Sequence, residues 1–168
     1  MYTQLFEVLP EVAMKETRTV TAFPGNELGL PPGEYGLVES YCDDKDCDCQ
    51  RVLLAVVSSV TQAPVAFIYY GWETLSFYNK WFNRGKNVNF ADMSAIDQRA
   101  VRYMHGVNLS EDHEQSELAP VLLELISKQT LQDKVYVDRL KRHYTQFRAK
   151  AVKGSQRNIL PFQRRPKK

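Results

Sequence analysis

Three cysteines fall within eight residues of one another, Cys42, Cys47 and Cys49, and the chain has no others. The run Tyr41-Cys42-Asp43-Asp44-Lys45-Asp46-Cys47-Asp48-Cys49 has the spacing C-x4-C-x-C. An odd number of thiols does not make a closed disulfide framework. Thiolates at the base and tip of a turn suit zinc, which binds sulfur at about 2.3 Å in tetrahedral geometry and takes four protein ligands in structural sites. Three ligands are present here. The fourth is sought among His105, His113, His143, a neighbouring aspartate or water. His105 and His113 lie in a polar stretch able to reach the turn, whereas His143 falls on an apolar helical stripe and reads as a satisfied core residue. Asp43, Asp44, Asp46 and Asp48 add negative charge that attracts a cation. They do not form a calcium loop, because the turn glycine and closing glutamate of an EF-hand are missing. Free thiols, a redox pair or another metal remain alternatives to zinc.

The elements around the cysteines form a hairpin. Tyr35–Cys42 alternates as a strand, and Arg51–Val60 is rich in Val and Leu. The Thr61–Pro64 turn then leads into a third strand, Val65–Gly71. Thr17–Phe23 alternates in the same way, Leu5–Met14 is ambiguous and interrupted by Pro10, and Pro24–Gly36 is a Gly/Pro-rich loop. The result is an antiparallel meander of four or five strands with the knuckle on a hairpin turn. Helical periodicity follows in residues 74–82, in Met93–Gly106, in Ser116–Leu131 with Ser116 as N-cap, and from Asp133 to about Val152, where Gly154 and Ser155 end the helix. Strands first and three or four helices afterwards make the fold class α+β. Residues 1–153 form a single domain, and residues 154–168 a basic, flexible arm.

Glu39-Ser40-Tyr41-Cys42, Cys47-Asp48-Cys49-Gln50-Arg51-Val52, Gln115-Ser116-Glu117-Leu118-Ala119-Pro120 and Tyr136–Phe147 together resemble a family of small bacterial proteins with an ESYC-x4-CDC metal-knuckle-like motif. The likeness spans residues 33–150 and stops before the basic extension. That family has no established activity, so the resemblance implies a bacterial metal knuckle and nothing about a reaction.

A formal net charge of +2 conceals a strong asymmetry. Residues 1–138 carry all 20 acids and 11 of the 22 Lys and Arg; the remaining 30 residues carry the other 11 and no acid. An acidic body therefore ends in a basic segment. Arg139, Arg142, Arg148, Lys150, Lys153, Arg157, Arg164, Arg165, Lys167 and Lys168 are candidates for phosphate contact with RNA, DNA or a nucleoprotein complex. Cations near a helix C-terminus also favour its dipole, and the arm could dock on an acidic body or an acidic protein partner. Eight of the sixteen residues from Phe67 to Phe82 are aromatic. Such a cluster serves the core more readily than a base-stacking platform, with Trp72, Tyr70 and Trp81 the candidate exceptions.

Enzymatic constellations are few. There is no G-x-S-x-G elbow and no P-loop, and His113-Glu114-Gln115-Ser116-Glu117 lacks the second histidine of a zinc protease. Apolar content of 43% and charged content of 25% are those of a globular protein, and no apolar run is long enough to span a bilayer. A cytoplasmic setting is expected. The sequence thus points to a non-enzymatic zinc protein whose basic helix and arm bind nucleic acid. The alternatives are a metalloenzyme with three thiolates, an open zinc position and His105 or His113 in acid–base work, and an adaptor docking its tail on an acidic partner.

Overall fold

A computed structural model describes residues 1–156, with side chains through Ala151. The chain runs β1 (Tyr2–Gln4), α1 (Leu5–Val8), α2 (Pro10–Glu16), β2 (Arg18–Ala22), β3 (Gly33–Cys42), β4 (Arg51–Ser58), β5 (Ala63–Gly71), α3 (Leu75–Phe82), α4 (Ala95–Met104), β6 (Gly106–Leu109), α5 (Ala119–Lys128) and α6 (Lys134–Gln156). This is the expected α+β class, with one antiparallel sheet in the order β1-β3-β4-β5-β6 and β2 also paired to β3. β1 and β2 share one edge of β3 end to end, Gln4 facing Ser40 and Arg18 facing Leu37.

The sheet has six strands rather than four or five, and the strands do not all precede the helices. Two of them, β1 and β6, are too short to leave an alternation in the sequence. β6 begins at Gly106, whose φ of +72° turns the chain out of α4 into a pairing with β5, inside the stretch expected to be helix and polar connection. Pro10 does not break a helix. It stands in the first turn of α2, where its missing N–H has no partner to lose. Nor is Ser116 the N-cap of α5, because Leu118 holds that position; the Ser116 hydroxyl donates to the Val65 carbonyl and accepts from Leu118 N–H. Thr74, Ser94 and Asp133 each accept backbone N–H groups at the starts of α3, α4 and α6. The last helix passes through Gly154 and Ser155 to Gln156. The rest of the expected arm lies outside the described residues.

Alternation along β3, β4 and β5 puts Leu37, Val56 and Ala66, then Leu54 and Ile68, side by side on one face, all fully buried. α5 and α6 cover that face with Leu122, Ile126, Leu140 and Phe147. A smaller cluster of Tyr78, Val101 and Met104 joins α3 to α4. Gly71 is where this cluster meets the sheet: a Cβ there would lie 2.0 Å from the Met104 carbonyl oxygen and 2.7 Å from the Tyr78 hydroxyl. Of the aromatic run, Tyr69 and Tyr78 are buried, Phe67, Tyr70, Trp72, Phe77 and Phe82 are half-buried and Trp81 is exposed, so of the three expected exceptions only Trp81 stands apart; Tyr70 and Trp72 pack against the core. No helix among the described residues is long and apolar enough to cross a membrane.

Candidate metal centre

Cys42 closes β3, and Cys47 and Cys49 lie on the connection to β4, so the three thiols stand on a strand–strand turn. Their Sγ atoms all lie within 4.8 Å of one another, with Cys42 and Cys49 buried and Cys47 half-buried. Tetrahedral zinc at about 2.3 Å from sulfur places its thiolates about 3.8 Å apart, a span compatible with a triangle no wider than this.

The local sequence explains the turn. Asp44 accepts from Asp46 N–H through its carboxylate (2.9 Å) and from Cys47 N–H through its carbonyl (3.1 Å), reversing the chain after Cys42. Gln50 takes a left-handed φ of +46° to re-enter β4, and its carbonyl accepts from the Tyr78 hydroxyl at 2.9 Å. Three further contacts tie the turn to the body. The Thr3 hydroxyl of β1 donates to Asp43 (2.8 Å), and the Tyr144 hydroxyl of α6 donates to Asp48 (3.0 Å). The Arg148 guanidinium, also on α6, donates to the carbonyl of Asp44, to that of Lys45 at 2.9 Å and to that of Cys42 at 3.5 Å.

The thiols are electrostatically unequal. Cys42 is pushed down to about 5, because the Cys49 thiol donates to it and, against the opposing effect of burial, so does Asp44 N–H. Cys49 rises as the donor to Cys42 and through burial, and Cys47 rises through burial and its closeness to Cys42. One thiolate is thus stabilised within the cluster, while the other two thiols hold their protons more tightly than a free cysteine does.

Neither expected histidine joins the sulfurs. Among the described residues, no His, Asp or Glu shares the group. His113 is held by the Ser110 hydroxyl at 2.8 Å and stacks on Phe67 at 4.4 Å between centroids, on the far side of β5. His105 is exposed beside Tyr78. The aspartates of the turn, offered as fourth ligands, instead fix its shape: Asp43, Asp44 and Asp48 are bound to Thr3, Asp46 N–H and Tyr144.

His143 is a satisfied core residue, fully buried, with Nδ1 2.7 Å from Glu39 and Nε2 3.3 Å from Glu16. The candidate phosphate contacts on α6 are partly engaged within the chain. Arg139 donates to the Glu16 carbonyl at 3.1 Å and lies 3.6 Å from its carboxylate; Arg142 pairs with the same carboxylate; Arg148 holds the turn. Lys150 is exposed. The side chain of Lys153, and Arg157, Arg164, Arg165, Lys167 and Lys168 altogether, lie outside the described residues.

Arg148 and Tyr144 are parts of the cysteine site that sequence alone does not reveal. Tyr144 had only its place on the apolar stripe as a signal, and Arg148, on the remaining arc, had none, since their partners are about a hundred residues away. No known protein family matches the chain, and no curated protein or solved structure matches it either.

Proposed function

We propose that the protein is a zinc-binding domain in which Cys42, Cys47 and Cys49 hold a structural ion that fastens the β3–β4 turn to α6. The observation carrying this reading is the convergence of three thiols within 4.8 Å on a turn clamped by Arg148 and Tyr144. A fixed turn keeps its ligands converged before the ion arrives, which lowers the ordering cost of binding. The fourth position is filled by water or by a group from outside the described residues. Elemental mass spectrometry on freshly purified protein should find about one zinc per chain. Melting after chelation then separates the roles. A structural ion lowers the melting temperature when removed, whereas a catalytic one leaves the melt in place and abolishes a turnover activity. Metal-free protein with three titratable thiols and an unchanged melt refutes the reading.

Charge segregation favours a second role, contact of the basic C-terminal segment with nucleic acid or a nucleoprotein complex. Since Arg139, Arg142 and Arg148 are engaged internally, this role rests on Lys150, Lys153, Arg157, Arg164, Arg165, Lys167 and Lys168. Removing residues 157–168 should weaken binding to a mixed-sequence oligonucleotide and flatten its dependence on salt. Equal affinity before and after truncation, or binding that only an acidic protein competes for, moves the segment to the protein-adaptor reading.

A further inference from the structure

Trp81 is the one ring of the Phe67–Phe82 run that the fold leaves on the surface. It lies in the last turn of α3, is 36% exposed and packs on neither core cluster, whereas Tyr70 and Trp72 pack on the larger and Phe77 and Phe82 on the smaller. Among the described residues its ring joins no aromatic pair. Cations flank it in the sequence. Lys80, Arg84 and Lys86 are all exposed, and none of them makes an ion pair among the described residues. From Thr74 to Ala91 there is no acid, although residues 1–138 as a whole carry 20 acids against 11 Lys and Arg. The end of α3 is therefore a positive spot on an acidic body.

Hydrogen bonds fix the backbone of the turn that follows. Gly85 N–H donates to the Lys80 carbonyl at 2.8 Å and Arg84 N–H to the Trp81 carbonyl at 3.0 Å, the paired bonds of a Schellman cap. Arg84 holds the position in that cap where glycine is usual, with a left-handed φ of +53°, and Gly85 follows at +82°. An arginine in this conformation carries a steric cost that glycine does not. Cations near a helix C-terminus favour its dipole, but that dipole amounts to about half a charge, and three unit charges exceed it. The arginine supplies a guanidinium three residues beyond Trp81, on a turn whose backbone is held.

We propose that the end of α3 is a contact surface for single-stranded nucleic acid, with Trp81 stacking on a base and Lys80, Arg84 and Lys86 neutralising the neighbouring phosphates. The proposal rests on the nucleic-acid reading given above, but not on residues 157–168. Charge complementarity selects a polyanion, and the exposed indole selects one that carries flat rings. Stacking reads no sequence, so RNA and DNA single strands share this chemistry. A duplex keeps its bases stacked on one another and offers the indole no face.

The test is a titration of the full chain with oligouridylate and oligothymidylate of about twelve nucleotides, followed by tryptophan fluorescence. Both strands should quench the emission saturably, and the tighter of the two identifies the source, RNA or DNA. Heparin, a polyanion without bases, should bind without that quenching. Trp81→Ala should abolish the quenching, leaving Trp72, which packs on Tyr144, as an unresponsive emitter. It should also weaken both oligonucleotides about fivefold or more and leave heparin unaffected. Arg84→Gly keeps the fold, because it restores the residue that the cap prefers. Its melting temperature should hold or rise, while the slope of log affinity against log salt falls by about 0.7. Deleting residues 157–168 tells the two nucleic-acid surfaces apart, since the quenching by Trp81 should survive that truncation. Unchanged affinity in Trp81→Ala, quenching by heparin equal to that by the oligonucleotides, or binding that only an acidic protein displaces overturns the proposal. Loss of affinity confined to the truncated chain also overturns it and leaves the C-terminal reading standing.

Discussion

Replacing Arg148 with alanine tests whether α6 organises the cysteine turn. The guanidinium donates to three successive points on the turn, the carbonyls of Cys42, Asp44 and Lys45, the first of them long at 3.5 Å. Hydrogen bonds from a charged donor contribute about 1.5–3 kcal/mol when buried, and a half-exposed side chain delivers roughly 1 kcal/mol for each well-made contact. Two such contacts give about 2 kcal/mol. If that free energy holds the turn in its ligand-ready shape, its loss weakens zinc binding about thirtyfold. The share of it that the metal-free turn does not recover by relaxing lowers the melting temperature of the apo protein instead, by up to a few degrees. Competition against a chromophoric zinc chelator reads the first effect, and thermal circular dichroism of the apo protein the second. Arg148→Lys keeps the charge but cannot fork between two carbonyls, so it should recover only a small part of the affinity. An R148A protein that melts a few degrees lower yet binds zinc within twofold of the original would show that the clamp serves only helix packing. The argument for a prearranged turn would then fail.

Three further predictions follow from the same geometry. Cys49→Ser should cut zinc affinity by more than the roughly hundredfold that loss of a supporting residue causes, read by the same chelator competition; a smaller loss means Cys49 is not a ligand. Gly71→Ala forces its Cβ into the Met104 carbonyl and should cost about 3 kcal/mol or more in denaturant unfolding, a change under about 1 kcal/mol showing that α3 and α4 do not dock there as described. Burial opposes ionisation of Glu16, but donation by His143 and the charge of Arg142 outweigh it and hold the carboxyl below its ordinary 4.5. A folded-state pKa below the unfolded one means this stabilisation is complete above about pH 4.5 and is lost as pH falls through the lower, folded value. Stability measured from pH 6 down to pH 3 should therefore drop less steeply in Glu16→Gln than in the original protein; parallel curves would remove Glu16 from the acid response.

Features carried by local pattern were legible in the sequence. Alternation in Tyr35–Cys42 and Arg51–Val60 placed the cysteines on a turn, and the apolar stripe of Tyr136, Leu140, Tyr144 and Phe147 identified both the last helix and its buried face. Helices α3 and α4 were legible through their apolar periodicity, while the Thr74 and Ser94 hydroxyls that cap them emerged only in the structure. What escaped was set by pairing rather than by pattern. Three residues of β1 and four of β6 acquire strand geometry only because β3 and β5 offer them an edge. The histidines illustrate the same limit: His105 and His113 share a polar stretch, yet neither joins the cysteine group, and His113 is held instead by Ser110 and Phe67 along β5. Separation along the chain gave no hint of that.

The basic residues of α6 mark the boundary between what charge counting and what geometry can decide. Counted along the chain, Arg139, Arg142 and Arg148 belong with the C-terminal cations. In the fold they are struts, because different sides of one long helix reach different elements. Arg139 and Arg142 meet Glu16 of α2, the Leu140 carbonyl accepts from Tyr41 and His143 faces Glu39, both on β3, and Tyr144 and Arg148 hold the cysteine turn. At about 100° per residue these positions spread around well over half of the helix circumference, so α6 is held from several sides at once. The turn is therefore positioned through the register of α6 against β3, and a shift of one residue in that helix would rotate Arg148 away from the turn. Six of the cations beyond Arg148, Lys153 through Lys168, lie past the last residue of α6 that has a described partner. If the struts and the phosphate contacts are separate in this way, removing residues 157–168 leaves both zinc affinity and the melt of the domain unchanged. A truncated protein that bound zinc more weakly would place a fourth ligand, or a second clamp, in the very segment whose charge suggests another role.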